Sequence, residues 1–120
     1  MASVVSFHLP ADDVERAATF YREVFGWEFV PFPDSPTPYL VHDAGQNGAG
    51  VPVAITPRQE IVKAPTPTIE VEDIDNAMTL IVMKGGQQAR VRDIPGLGRF
   101  GYAIDSEGNI IALLQREALQ

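Results

Sequence analysis

Four polar residues, two in each of two short stretches of the chain, are the side chains best suited to chemistry. Ser6 and His8 lie on the first stretch, and Thr68 and Glu70 lie on the second. Because alternate residues of a strand share a face, each pair is expected to face one side of a sheet. An imidazole, with an ordinary pKa of about 6.5, suits a general base or a donor that orients a ligand. His8 is therefore the candidate catalytic residue.

A second interpretation of His8 is equally simple. A strand histidine can serve only as a hydrogen-bonding partner for a neighbouring side chain, and the sequence pattern is the same in both cases. If His8 lies in a ligand cavity, replacing it with alanine should weaken binding and leave stability nearly unchanged. If His8 is structural, the same replacement should lower the melting temperature.

Size and composition exclude several classes of function. The chain has 120 residues, of which 45% are hydrophobic and none is cysteine; this predicts one domain with its own core and excludes disulfides and thiolate catalysis. The net charge of −7 opposes general binding to nucleic acid or to an anionic membrane. We find neither a signal-peptide pattern nor an apolar run of about 20 residues, the length that a membrane helix needs. We therefore expect a cytoplasmic protein.

The sequence repeats itself at an offset of sixty residues. When residues 6–26 are placed on residues 66–86, four positions are identical: Asp13 and Asp73, Ala17 and Ala77, Thr19 and Thr79, Gly26 and Gly86. The matched segment contains a strand, a helix cap, a helix and its terminating glycine. A duplicated structural unit is therefore predicted, with units at residues 1–57 and 66–120 of one domain and a linker at residues 57–65.

Each unit is predicted to follow the order βαβββ. Alternation and turn residues predict strands at residues 4–9, 27–30, 39–42, 51–56, 66–71, 88–92, 99–105 and 109–115, a proline-rich loop at 31–38, and turns at 45–50 and 106–109. The first helix is expected to begin after Asp12 or Asp13 and to end at Gly26, and the second to begin after Asp73 and to end at residues 85–86. Each helix should cover one face of its strands. The opposite face must then be covered by the other unit, a second chain or a ligand.

Two parts of the chain carry a family resemblance. The first contains residues 7–13 (FHLPADD), Ala17, residues 20–21 (FY) and residues 23–27 (EVFGW), and the second contains residues 98–100 (GRF) and 105–109 (DSEGN). They resemble the vicinal oxygen chelate superfamily, which includes glyoxalase I, bleomycin-resistance proteins and extradiol dioxygenases. The chain is most similar to small glyoxalase-like proteins related to lactoylglutathione lyase. The resemblance implies an α+β fold in which tandem βαβββ units form a cupped, mixed eight-stranded sheet. It also implies a homodimer. It does not choose among lyases, epimerases, dioxygenases and proteins that sequester drugs.

The resemblance also allows a test for metal. Members that use a metal place His, Glu or Gln on the first strand and on a later strand of each unit. The matching positions here are Ser6, Thr66, Ala112 and either Pro52 or Ala54, and none is a good ligand. We therefore expect neither a metal nor another cofactor. A noncanonical site built from His8, Glu70 and His42 remains as an alternative.

These observations favour metal-independent binding of a small, partly apolar organic molecule, as in sequestration or resistance. The polar contacts are predicted to be Ser6, His8, Thr68 and Glu70, and the walls Tyr39, Tyr102, Ala112 and Leu114. The last strand is apolar on both faces, which indicates burial on both sides. One rival is a lyase, isomerase or dioxygenase that uses a noncanonical metal site or His8 as a base. Another is an interaction module whose cavity is filled by side chains.

Overall fold

The computed structural model describes residues 2–32, 39–42 and 50–117. The elements in chain order are β1 (Ser3–Ala11), α1 (Val14–Phe25), β2 (Val30–Pro31), β3 (Leu40–His42), β4 (Val53–Pro57), β5 (Thr66–Glu70), α2 (Ile74–Met83), β6 (Gln87–Ile94), β7 (Gly98–Ile104) and β8 (Ile110–Arg116). The predicted α+β class and the two successive βαβββ patterns are confirmed. No helix in these ranges is long and apolar enough to cross a membrane.

The described residues form two compact units. The first unit is Ser6–Thr66, and the second unit contains residues 67–117 together with residues 2–5. The segment predicted as a linker, residues 57–65, thus belongs to the first unit. Its Arg58 side chain donates to Asp12 at 2.9 Å and to the carbonyl oxygen of Lys63 at 2.7 Å, and Val62 is buried. These contacts attach the segment to the unit that precedes it.

In the first unit, β4 lies between β3 and β1. It runs parallel to β1 and antiparallel to β3, and β2 pairs antiparallel with β3. The register places Leu9 opposite Ile55, and Ile55 opposite Leu40. These side chains pack with Val14 and Ala18 of α1 to form the core of the unit. His8 lies opposite Ala54, so both face away from α1.

The second unit repeats this arrangement. β8 runs parallel to β5 and antiparallel to β7, and β6 forms the other edge of these four strands. Leu113 and Ala103 pack against Ile74 and Met78 of α2. A separate cluster lies on the other face of the strands and contains Phe100, Ala112 and Leu114. The prediction that β8 is buried on both faces is confirmed.

The helix ends follow from the repeated residues. The Asp13 carboxylate accepts a hydrogen bond from the Arg16 amide at 3.0 Å, and Asp73 accepts one from the Asn76 amide at 3.1 Å. Both are N-caps that satisfy an amide without a partner inside the helix. Gly26 ends α1 in the left-handed conformation with φ of 76°. The predicted cap at Asp73 and the glycine stop at Gly26 are confirmed, and of the two candidates for the first cap, Asp12 and Asp13, the structure selects Asp13.

The second strand is shorter than predicted. The sequence predicts residues 27–30 as a strand, but β2 contains only Val30–Pro31. The Trp27 ring is instead stacked between Tyr21 and His42, with ring centroids at 5.5 and 5.4 Å. This aromatic stack holds the chain beside α1 before the strand begins. Residues 45–49 of the predicted turn at 45–50 and residues 33–38 of the predicted loop at 31–38 lie outside the described residues.

The hairpin between β7 and β8 forms as predicted. Asp105 closes it by accepting hydrogen bonds from the amides of Asn109 and Glu107 at 2.9 and 2.8 Å. These bonds, with one from the Asn109 side chain, hold the pKa of Asp105 below its ordinary value. β7 and β8 also lie so close together at Gly98 that this position has no room for a side chain. A Cβ there would overlap the carbonyl oxygen of Gln115.

We expect Gly98→Ala to destabilise the protein more than Gly96→Ala does. Both glycines have positive φ, but a Cβ at Gly96 would meet no atom within 4 Å. Gly96→Ala should therefore add only backbone strain of roughly 1–2 kcal/mol, and Gly98→Ala should add a further ~2 kcal/mol from overlap. Urea unfolding of both variants measures the difference. Equal losses would contradict the close approach of the Gln115 carbonyl.

Candidate functional site

The predicted ligand-binding residues lie on the faces of the two units that point away from their own helices, which we call the helix-distal faces. His8, Ala54 and Val41 share this face in the first unit by register. Thr68, Ala112 and Tyr102 share it in the second unit. Alternation places Ser6 with His8 and Glu70 with Thr68. Each unit thus carries its own set of predicted contacts.

His8 is a buried neutral base. Its residue is 5% exposed, and Nε2 lies 3.0 Å from the Tyr39 hydroxyl oxygen, with the two rings edge to face. Burial lowers the pKa of His8 from 6.5 to about 4, since desolvation disfavours the charged imidazolium. At neutral pH His8 can share a hydrogen bond with an uncharged group. A base with so low a pKa accepts a proton weakly at that pH.

Thr68 carries a buried hydroxyl that has no partner among the described residues. Its residue is 3% exposed, and Oγ1 makes no hydrogen bond with the described part of the chain. An unsatisfied buried polar group destabilises a fold by about 1–3 kcal/mol. On the same strand, Thr66 is 1% exposed, but its hydroxyl donates to the Ala64 carbonyl at 2.8 Å. The hydroxyl of Thr66 therefore has its hydrogen bond within the fold, whereas the hydroxyl of Thr68 can still bond with a group of a bound molecule.

The other predicted contacts of the second unit are apolar or paired. Ala112 and Leu114 are buried with Phe100, and Tyr102 packs against this cluster, its ring edge to face with Phe100 at 5.2 Å. Burial raises the pKa of Tyr102, partly opposed by the charge of Arg92, so the phenol stays neutral.

Glu70 takes part in an ion pair and lines a cavity. Its Oε1 accepts a hydrogen bond from Arg116 Nε at 2.6 Å. The cavity, of about 340 Å³, is lined by Ser3, Glu70, Val71, Glu72, Gln115 and Arg116. The other seven predicted contacts do not line it. Arg116 is the last residue of β8, and no sequence pattern singled it out.

A second cavity, of about 370 Å³, lies at the beginning of α1 in the first unit. It is lined by Pro10, Ala11, Asp12, Asp13, Arg16, Ala17, Phe20, Tyr21 and Arg58, and none of these was predicted as a contact. The sequence signal that could have identified this cavity is that two of its residues directly follow neighbouring strands. Ala11 and Pro57 are paired at the ends of two parallel strands, so Asp12 and Arg58, the next residues, emerge side by side.

The noncanonical metal site is not formed. His42 lies opposite Val53 and His8 lies opposite Ala54, so the two imidazoles are on opposite faces of the same strands. His42 Nδ1 lies 2.9 Å from the Glu28 carbonyl oxygen, and its ring stacks on Trp27. Within the described ranges, no group of three or more His, Asp or Glu side chains could hold a metal ion. The alternative that joined His8, Glu70 and His42 was therefore wrong.

The burial of His8 changes the expectation for its replacement. Because the folded protein holds the neutral form, the unfolded chain binds more protons between pH 6.5 and 4, and stability should fall as the pH is lowered through this window. From the pKa of about 4, the loss is on the order of 3 kcal/mol. We expect His8→Gln to remove this part of the pH dependence and His8→Ala to lower stability at all pH values, because it leaves a cavity.

Urea unfolding from pH 7 to pH 4 measures this effect as a difference between wild type and variant, which cancels the titration of the carboxylates. His42→Gln is the matched control, since it removes the other histidine and leaves His8 in place. Parallel curves for wild type and His8→Gln would contradict a buried neutral imidazole.

Thr66 and Thr68 provide a matched pair for testing the free hydroxyl. We expect Thr66→Val to lower the free energy of unfolding by about 1 kcal/mol, because a buried hydrogen bond is lost. Thr68→Val should leave it unchanged or raise it, because no bond is lost and an apolar group of equal shape is buried. Thermal and urea unfolding of both variants decide the point. Equal destabilisation would mean that Thr68 is hydrogen-bonded in solution.

Three comparisons with known proteins agree with this architecture. Residues 3–37 match the family model described as bleomycin resistance protein-like N-terminal. A glyoxylase-like domain-containing protein of Didymella fabae is 28% identical over 125 residues, covering 94% of this chain and 93% of that protein.

Two solved structures have a similar fold. A hypothetical protein of Bacillus halodurans C-125 superposes with a TM-score of 0.74 at 9% identity, over 99% of this chain and 97% of the other. A methylmalonyl-CoA epimerase of Streptomyces coelicolor in complex with 2-nitronate-propionyl-CoA gives 0.68 at 15% identity, over 96% and 97%. These matches agree with the resemblance to vicinal oxygen chelate proteins, and the chain has the glyoxalase/bleomycin-resistance fold that the resemblance implies.

Proposed function

We propose that this protein binds a small, partly apolar organic molecule on a helix-distal face, without a metal ion, and that it sequesters such a molecule. The observation that carries the proposal is the Thr68 hydroxyl. It is buried beside Ala112 and makes no hydrogen bond with the described residues. A carbonyl or hydroxyl group of a ligand would satisfy it, and the neighbouring apolar side chains would pack against the rest of that molecule.

A separate observation, in the first unit, supports the proposal that the ligand is uncharged. His8 and Tyr39 share a hydrogen bond, and burial keeps the imidazole neutral. Burying a charged ligand group beside neutral, desolvated side chains is unfavourable. Neutral donors and acceptors set in an apolar surface fit a neutral ligand better.

The rival enzyme mechanisms have less support from the side chains. The Glu70 carboxylate is paired with Arg116, and the Thr66 hydroxyl donates to the Ala64 carbonyl, so neither is available as a strong metal donor. His8, with a pKa of about 4, is poorly matched to general base catalysis near neutral pH.

One observation favours a second candidate, the interaction module. Phe100, Ala112 and Leu114 bury one another on the helix-distal face of the second unit. If this cluster fills the face, no small molecule enters, and the protein acts through its outer surfaces. The two candidates differ in whether an added compound stabilises the fold.

The test is a thermal-shift screen with uncharged aromatic and aliphatic compounds that carry a carbonyl or hydroxyl group, with and without EDTA. A ligand at a hundred times its dissociation constant should stabilise the fold by about 2.7 kcal/mol, and EDTA should not change this. Thr68→Val should bind such a compound more weakly, and Thr66→Val should bind it as the wild type does. Stabilisation that EDTA removes would support a metal enzyme, and the absence of any stabilising compound would support the interaction module.

A further inference from the structure

The cavity at the beginning of α1, which we call the first-unit cavity, brings two arginines and two aromatic rings together. Arg16, Arg58, Phe20 and Tyr21 all line it, and Ala11, another lining residue, is buried. Its volume of about 370 Å³ lies within the range of small-molecule sites. All of its lining residues belong to the first unit. The first-unit cavity is therefore complete without the helix-distal faces.

The two arginines differ in how far their charge is already neutralised. The Arg58 side chain donates from Nε to Asp12 at 2.9 Å and from Nη1 to the Lys63 carbonyl oxygen at 2.7 Å. These bonds hold the Arg58 guanidinium in place and pair its charge, and they leave further N–H donors. Arg16 forms no ion pair with any described residue. The charge of Arg16 is therefore available to a bound molecule.

The acidic side chains of the first-unit cavity have other partners. Asp12 is paired with Arg58. The Asp13 carboxylate accepts a hydrogen bond from the Arg16 amide at 3.0 Å as the N-cap of α1, where the positive end of the helix compensates its charge. Because Asp13 already occupies the helix N-terminus, a ligand would be bound by side chains. One uncompensated positive charge remains, and this fits a monoanion.

We propose that the first-unit cavity binds a small aromatic monocarboxylate. A guanidinium bonds a carboxylate through two parallel N–H groups, which Arg16 supplies. The ring of the ligand packs against Phe20, which is 56% exposed and lies edge to face with Tyr21 at 5.2 Å; aromatic contacts stabilise a complex beyond the area that they bury. A phosphate dianion fits less well, because Asp12 and Asp13 line the same cavity and repel its second charge.

The cavity of the second unit lacks this combination. Its arginine, Arg116, is paired with Glu70 at 2.6 Å, and Glu72 lines the same cavity. None of the described residues that line it is aromatic. An added carboxylate would lie there beside two acidic side chains and without a ring to pack against. This difference selects the first-unit cavity.

An NMR titration of the isotope-labelled chain with 2-naphthoate, its uncharged analogue 2-naphthamide and 2-naphthyl phosphate tests the proposal. Naphthoate should shift the amide resonances of Ala17 and Phe20. At these resonances it should bind about fivefold more tightly than naphthamide, which is the upper end of what an exposed ion pair contributes. High salt should reduce this preference. The naphthyl phosphate should bind no more tightly than naphthoate.

Matched variants assign the two parts of the probe. Arg16→Gln should remove the preference for the carboxylate, and Arg22→Gln should keep it, because Arg22 is an exposed arginine of α1 outside the cavity. Phe20→Ala should weaken the binding of naphthoate about tenfold. Val24→Ala, at an exposed position outside the cavity, should leave it unchanged. All four positions are exposed, so the melting temperatures should stay close to that of the wild type.

The proposal is overturned if naphthoate does not bind, if it binds no better than naphthamide, or if it binds less tightly than 2-naphthyl phosphate. It is also overturned if naphthoate shifts only the resonances of Thr68 and Ala112 on the helix-distal face, or if Arg16→Gln keeps the preference for the carboxylate. Thr68→Val should bind naphthoate as the wild type does. The result is therefore independent of the ligand proposed for the helix-distal faces.

Discussion

Parallel pairing between the first and last strands of each unit is the constraint on which the rest of the structure depends. It places Leu9 beside Ile55 and His8 beside Ala54, and in the second unit it places Ile69 beside Leu113. Because side chains alternate across a strand, a shift of one residue would turn every apolar side chain away from its helix. The packing of α1 and α2 therefore fixes the register. The register in turn decides that His8 faces away from α1.

Desolvation then decides the character of the helix-distal faces. Surrounding apolar side chains disfavour charge, so the pKa of His8 falls and that of Tyr102 rises. Both changes keep the group neutral at pH 7. The charged side chains of the same region, Glu70 and Arg116, are more exposed and pair with each other. The structure thus separates buried neutral polar groups from charged ones at the strand ends, and the proposal of a neutral ligand is based on this separation.

Sequence patterns with a local physical cause could be read directly. A cap at Asp12 or Asp13, the cap at Asp73 and the stop at Gly26 were predicted because each acts on backbone groups within a few residues. Alternation also correctly placed Ala112 and Leu114 on one face of β8 and Leu113 on the other. The two faces of a strand follow from parity alone, so this part of the candidate site was accessible without coordinates.

The errors arise where distant residues meet. His42 was grouped with His8 because nothing local reports the register of β3 on β4, and one residue of difference puts the two rings on opposite faces. Trp27 has strong strand propensity, yet its stack with Tyr21 and His42 displaces β2. Tertiary packing overrides propensity in such cases.

The duplicated units also show how one framework produces two surfaces. Asp12 pairs with Arg58 where β1 and β4 end, and Glu70 pairs with Arg116 where β5 and β8 end. Exposed ion pairs of this kind contribute little to stability, so differences between the units at these positions change the free energy of unfolding only slightly. The same freedom applies to the outer sides of the helices. Among the described residues, Arg16 and Glu23 of α1 form no ion pair, whereas Asp75 of α2 pairs with Arg99 of its own unit. Differences between the units at such low-energy positions are therefore better evidence for distinct roles than differences in the core would be.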